Sequence, residues 1–409
     1  MARKRKKRIR RRMLLFCFII LIGLIIYFTF NIINNNEKKL SKLGYSDEEI
    51  SIIIDNASIG DIRALVDKEY NEYYINIIKD TNYKKGNMGE YVSYYEEYDK
   101  ALASDIVYLI NNDIELPYTE TLSDLINNEE FVIGNLDKYI NYSKNNKKAD
   151  AESIILIVNN NIDAPYSSNL VNIIKDKYFI MNNLDRYLSY QKKNPELKAN
   201  DIVTNVNSNL DYKFYTNVKD ADTSKKHLIL VNKYFKIDKE YTSDNLVSMD
   251  LKYTYNFGEL DKDTYEAFKK MADDAAKENL YIKNRSAYRA YNTQSYIYNG
   301  YVGNYGYVWA ENYSARPGHS EHQTGLALDI GASGSEALGS FESTNEFSWV
   351  KDNAHKYGFI LRYPKGKEYI TGYSYEPWHY RYVGVDTATK IYELDITYEE
   401  YYAYFLENK

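Results

Sequence analysis

From Met13 to Ile33 the chain is almost wholly apolar and carries no charge. At 1.5 Å per residue such a run is long enough to cross a bilayer as a helix. It predicts a transmembrane helix over 13–33. Beyond it the apolar positions fall at helical spacing and the pattern repeats. Sliding the chain by 48 residues aligns Tyr91, Tyr139 and Tyr187, then Tyr94, Tyr142 and Tyr190. Ile106, Ile154 and Ile202 follow, as do Asn111, Asn159 and Asn207, and Pro117 matches Pro165. Within one unit, Ile154, Ile155, Ile157 and Val158 make one apolar face and Leu170, Ile173 and Ile174 another. Asn-rich turns and Pro117 or Pro165 separate them. A degenerate earlier copy covers about 40–85. Units this small cannot bury their own faces, so an all-α region of stacked helical repeats is expected over 37–219. The recurrent Tyr read as packing between helices, and no ligand of the repeats is named by any recurring charge or metal cluster.

The stretch Asp220–Lys226 is polar, and a domain boundary is expected there. After it Gly and aromatic residues become frequent, with β-like runs such as Leu228–Val231 and Gly358–Tyr363. Tyr265, Phe268, Met271 and Ala275 share one face of a helix expected over Asp261–Asn279, and a second helix is expected over Phe347–Tyr357. The reading is an α+β domain over 220–409, a small antiparallel sheet with helices.

Charge decides which side of a membrane this domain occupies. Nine Lys or Arg lie between Arg3 and Arg12 with no acid among them. A basic tail over 1–12 belongs in the cytoplasm, so the rest of the chain is expected outside it. The apolar run exceeds a usual signal-peptide core and no Ala-x-Ala-like site follows, so it reads as an uncleaved anchor. Setting those nine aside, the 52 basic residues fall to 43, against 58 acidic. So acidic a body excludes nucleic acid as a partner. The single cysteine, Cys17, lies inside the anchor, which leaves no disulfide, thiol nucleophile or cysteine-rich metal site elsewhere. The 46 Tyr accompany abundant Asn, Ile and Lys, a bias that reads as genome composition.

Four of the five histidines lie in the second half of the C-terminal domain: His319, His322, His355 and His379. His322 precedes Asp329 by seven positions across Gly325-Leu326-Ala327-Leu328, an alternation that suits a strand. Glu376 precedes His379 by three. Two His and one Asp are a plausible three-ligand set for a catalytic zinc, with the Glu free as a base. Spacing alone leaves isolated structural histidines as the alternative.

Ser-Glu-His-Gln-Thr-Gly-Leu-Ala-x-Asp at 320–329 and Glu-Pro-Trp-His at 376–379 resemble the signature of VanY-type D-alanyl-D-alanine carboxypeptidases. These are zinc metallopeptidases related to the VanX dipeptidases. The similarity runs through Arg316-Pro317-Gly318, Ser286-Ala287-Tyr288-Arg289 with Gln294, and Gly358 to Gly384, and spans roughly 228–390. The family often has Ser-Gly-Tyr-Arg where this chain has Ser-Ala-Tyr-Arg. The resemblance implies one Zn2+ held by His322, Asp329 and His379. It implies Glu376 as the base that activates water, and Arg289 as the arginine that holds the substrate's carbonyl or carboxylate. Ser320 and Gln294 match positions associated with substrate binding, and either also fits a supporting role.

The expectation is therefore a membrane-anchored, extracytoplasmic zinc carboxypeptidase that removes the terminal D-alanine from peptidoglycan stem peptides. Alternatives are an L,D-carboxypeptidase or a cross-link endopeptidase of the same fold, or an inactive wall-binding scaffold.

Overall fold

The apolar run is helical, in a computed structural model that describes residues 2–332 and 338–407, with side chains described from residue 13. The side chains of the basic tail over 1–12 lie outside the described residues. One helix spans Ala2–Leu43, and Met13–Leu43 is, among the described residues, the one segment long and apolar enough to cross a membrane. The helix runs through Asn34–Asn36 rather than stopping there, since Asn in a helix costs only tenths of a kcal/mol. Leu40, further along, is fully buried among the helices that follow.

The chain divides into two compact units, 1–167 and 168–409. In the first, short helices follow one another from Asp47–Asn56 to Ala151–Asn159. Ser46 with Glu49, and Ser58 with Asp61, close capping boxes at two of them. Tyr91 is fully buried, yet its hydroxyl is satisfied. It accepts from the Lys84 N–H at 3.3 Å and donates to Asn111 Oδ1 at 2.6 Å, while Asn111 Nδ2 donates to the Asn82 carbonyl at 2.7 Å. Forty-eight positions on, Tyr139 makes the same bonds with Val132, Asn159 and, through Asn159, Glu130. In the second unit Tyr187 makes them with Ile180, Asn207 and, through Asn207, Tyr178. The tyrosine and asparagine that recur in the sequence thus form a recurring buried hydrogen-bonded lock.

The second unit begins with the helices Ser168–Ile174, Leu184–Lys193 and Ala199–Asn207 and continues into a mixed domain. Its centre is a four-stranded sheet of β1 (Ile282–Ser286), β2 (Ala327–Ala332), β3 (Phe359–Leu361) and β4 (His379–Tyr382), in the order β1-β2-β4-β3. Every neighbouring pair is antiparallel. The helix Lys262–Lys277 packs Phe268, Met271 and Ala275 on one face of this sheet, against Leu328 and Ile330 of β2. Side chains alternate along a strand, so Asp329 points the other way.

Two expected elements differ. The segment Leu228–Val231 is not a strand. Ile229 and Val231 are fully buried, but the carbonyls of His227 and Ile229 accept from Arg381 Nη2, at 3.0 and 2.6 Å, in place of a ladder. The helix expected over 347–357 is Asn345–Asn353 followed by a 3-10 turn, Ala354–Tyr357, that ends at Gly358.

Candidate active site

The polar face of the sheet carries the chemistry. Asp329 on β2 and His379 on β4 are register partners, so pairing alone brings them together. His322 reaches the same point from a 3-10 turn, Glu321–Thr324, just before β2. That turn closes on Gly325 at φ 74°, where a Cβ would stand 2.8 Å from Leu246 Cδ2 and 3.0 Å from the Asp261 nitrogen. Only glycine fits there.

His322, Asp329 and His379 are all buried, and one ligand atom from each lies within 4.8 Å of the others. His322 Nδ1 bonds the Ala287 carbonyl at 2.8 Å, so that nitrogen carries the proton and Nε2 is left as a lone-pair donor. His322 Nε2 lies 3.5 Å from Asp329 Oδ1, and His379 Nδ1 lies 3.3 Å from the same oxygen. His322 Nε2 and Asp329 Oδ1 are buried with no hydrogen-bond partner. An unpartnered imidazole nitrogen and carboxylate oxygen, with His379 Nδ1 beside them in a buried pocket, fit a divalent metal of the zinc type.

Electrostatics agree with a site that needs positive charge. Burial raises the Asp329 carboxyl, but His322 and His379 outweigh it and hold Asp329 well below the carboxylate range. Burial lowers His379, but the facing carboxylates of Asp329 and Glu321 carry it up to about 9. His322, which faces Arg289 as well, is pushed by burial down to about 4.

Glu376 sits on the turn into β4, its N–H bonded to the Tyr363 carbonyl and its carbonyl accepting from the His379 N–H. Its Oε2 lies 3.6 Å from His379 Nδ1. Burial raises its carboxyl to about 7, with Asp329 adding to the rise and His379 and Arg289 opposing it. A carboxylate poised there can exchange a proton near neutrality.

Arg289 closes the other side. Its Nη1 donates to Gln294 Oε1 at 2.8 Å and its Nη2 to Asp329 Oδ2 at 3.4 Å. Gln294 is held in turn, donating to Ser314 Oγ and the Ala315 carbonyl. All seven residues singled out in the sequence, Ser320 among them, line one cavity of about 300 Å³, as do Trp378 and Tyr363.

Glu321 was not singled out. It is fully buried, its Oε1 accepts from Arg362 Nε and Arg381 Nη1, each at 2.8 Å, and its Oε2 faces His379 Nε2 at 3.6 Å. The signal available was a charged residue next to a candidate ligand, with no way of telling which basic residues met it.

A family model described as VanY, D-alanyl-D-alanine carboxypeptidase, matches residues 258–385. YodJ of Bacillus subtilis is 44% identical over 181 residues, 43% of this chain and 66% of that protein. D-alanyl-D-alanine carboxypeptidases of Enterococcus faecium and Enterococcus faecalis are 35% and 37% identical, over 47% and 46% of this chain and 62% and 69% of theirs. The chain thus spans just under two thirds of the length of the first two. Among solved structures, the LdcB LD-carboxypeptidase has 40% identity and a TM-score of 0.44, covering 46% of this chain and 91% of that one. A mutant of the D,D-pentapeptidase VanY from a VanB-type vancomycin resistance cassette, in complex with Zn(II), has 38% identity and a TM-score of 0.38, covering 43% and 98%.

Proposed function

The chain belongs to the VanY family of D-alanyl-D-alanine carboxypeptidases, and from that premise we propose that it is a membrane-anchored zinc carboxypeptidase acting on peptidoglycan stem peptides outside the cytoplasm. The observation that carries this reading is the convergence of His322 Nε2, Asp329 Oδ1 and His379 on one buried point beside a carboxyl raised to about 7. His322, Asp329 and His379 hold one Zn2+. That ion, when bound, lowers the pKa of a water ligand and polarises the scissile carbonyl.

The chain's own residues do the rest. Glu376 takes a proton from the attacking water at its carboxylate and returns it to the leaving amine of the terminal D-alanine. Arg289 holds the charge that develops on the substrate carbonyl, or the terminal carboxylate, with its planar fork. Gln294 acts by fixing Arg289, since its side chain is engaged with Arg289, Ser314 and Ala315. Ser320 lines the cavity and contacts the peptide. Tyr363 and Trp378 form part of the same cavity wall.

The peptidase domain takes residues 220–409, the helical repeats take 37–219 as a spacer, and the helix over 13–33 is an uncleaved anchor behind a cytoplasmic basic tail. The test is product analysis: the purified chain should carry about one zinc and release D-alanine from a stem pentapeptide. Release from a tetrapeptide alone would instead make it an L,D-carboxypeptidase, and cleavage only of cross-linked dimers an endopeptidase.

A further inference from the structure

His379 presents Nδ1 to Asp329 and Glu376. Its other nitrogen, Nε2, faces Glu321 Oε2 at 3.6 Å, and both of these buried atoms are without any closer hydrogen-bond partner. Glu321 is itself fixed by Arg362 and Arg381, through Nε and Nη1. Arg362 then turns both Nη atoms onto Glu399, at 2.9 and 2.6 Å, in a fork-to-fork pair, and Glu399 Oε1 also accepts from Asn232 Nδ2 at 3.1 Å. The side chains of Arg362, Arg381 and Glu321 are fully buried and that of Glu399 is 2% exposed. Glu399 lies on the C-terminal helix Tyr398–Phe405, beyond the matched segment 258–385.

Two arginines and two glutamates stripped of water are no bargain for stability, since well-packed apolar residues would serve as well. What such a chain does supply is direction. Each carboxylate and guanidinium is held at two or more points, so Glu321 has one orientation available, and a ligating imidazole is oriented and polarised by the group on its other nitrogen. We propose that Glu399 is a positioning residue for the metal ligand His379, acting through Arg362 and Glu321, and that the C-terminal helix is therefore a working part of the site. This rests on the reading of His379 as a zinc ligand. Asn232 is the second anchor of Glu399, so the segment before the sheet takes part as well.

The test uses the detergent-solubilised full chain. Zinc affinity is measured by competition with a chromogenic chelator, and kcat and KM on a stem pentapeptide. Glu399→Gln removes one charge at nearly constant shape and should weaken zinc about 10-fold and lower kcat comparably at unchanged KM, the lower end of what outer partners of metal ligands contribute. Val350→Ala, in the core away from the network, should lower thermal stability and leave zinc affinity alone. If Glu399→Gln does not fold, the paired change Arg362→Met with Glu399→Leu removes the fork without stranding a charge, and the same loss of affinity is expected. Wild-type zinc affinity and kcat in either folded variant would overturn the positioning role while leaving the metal reading intact. A wild-type chain that takes up no zinc would overturn both.

Discussion

Asp329 and His379 stand opposite each other on β2 and β4, with Asp329 Oδ1 3.3 Å from His379 Nδ1. They are fifty positions apart in the chain, so strand register alone sets their separation. A one-residue slip would turn one of the two onto the core face. The flanking Leu328 and Tyr380, register partners fully buried on that face, hold the register in place.

Glu376→Gln should keep the metal and lose turnover. The amide is close in size but cannot accept the water's proton, and general-base loss removes about 10²–10⁴-fold in kcat. A base must be ionised to work, so kcat/KM should fall as pH drops through the Glu376 pKa. That carboxyl lies at about 7 without metal. A bound dication pulls it lower, so the acidic limb should sit below 7 and vanish in the variant. A Glu376→Gln chain with wild-type turnover would remove Glu376 from the role of base.

Stripping the metal should abolish activity and lower the melting temperature. Binding to the native site alone adds about 2.7 kcal/mol at a ligand concentration 100 times Kd. Calorimetry of the chelated and zinc-restored protein reads this directly. His322→Ala should erase the zinc-dependent shift, because it deletes a ligand.

The candidate site was legible because its residues sit in two short motifs whose order the resemblance recognises. The sheet that joins them was legible only in part. Gly358–Tyr363 yields the strand Phe359–Leu361, whereas Leu228–Val231, equally β-like, is claimed by Arg381 before any strand can pair with it. Arg381 and Arg362 look like surface cations in a sequence. Only folding shows that Glu321 and Glu399 bury them. The 48-residue period was plain, but the role of Tyr139 was not, since its partner Asn159 reads as one more turn asparagine.

Glu321→Ala should be among the most destabilising single changes in the chain. It leaves Arg362 and Arg381 buried without their shared carboxylate, and breaking such a network costs about 3–5 kcal/mol. Burial pushes the Glu321 carboxyl up, but Arg362 and Arg381, with His379, overcome it and hold it well below the usual range. Because the folded pKa is depressed, this stabilisation is fully present above the unfolded value of about 4.3 and is lost as pH falls below it. Urea midpoints for wild type should therefore fall steadily as pH drops below about 5 toward the depressed folded value, and the variant should be low throughout with a flatter profile.

Tyr139→Phe tests the recurring lock. The ring stays, but the Val132 N–H loses its acceptor and Asn159 Oδ1 a donor. A buried group left unpaired costs about 1–3 kcal/mol. The loss should appear in the unfolding of unit 1–167, with kcat unchanged. A neutral effect would mean that water replaces the hydroxyl.

The last prediction concerns where the peptidase domain starts. The sequence places the boundary at 220, yet the C-terminal helix is braced by residues before it. Tyr404 stacks on Tyr178 with ring centroids 3.7 Å apart and its hydroxyl lies 3.0 Å from Thr204 Oγ1. The Tyr234 hydroxyl donates to the Tyr212 carbonyl, and Leu210 and Tyr212 pack on the cluster holding Tyr398 and Tyr402. A segment cut at 220 loses all of these. The stack alone is worth about 0.5–1.5 kcal/mol beyond its buried area. For a domain of this size each kcal/mol shifts Tm by about 2–4 °C. Residues 168–409 should thus melt at least several degrees above residues 220–409. Because Glu399 sits on the braced helix, the shorter segment should also hold zinc more weakly. Equal Tm and equal zinc affinity in the two segments would restore the boundary to 220 and make the third tyrosine–asparagine lock, Tyr187 with Asn207, part of the spacer alone.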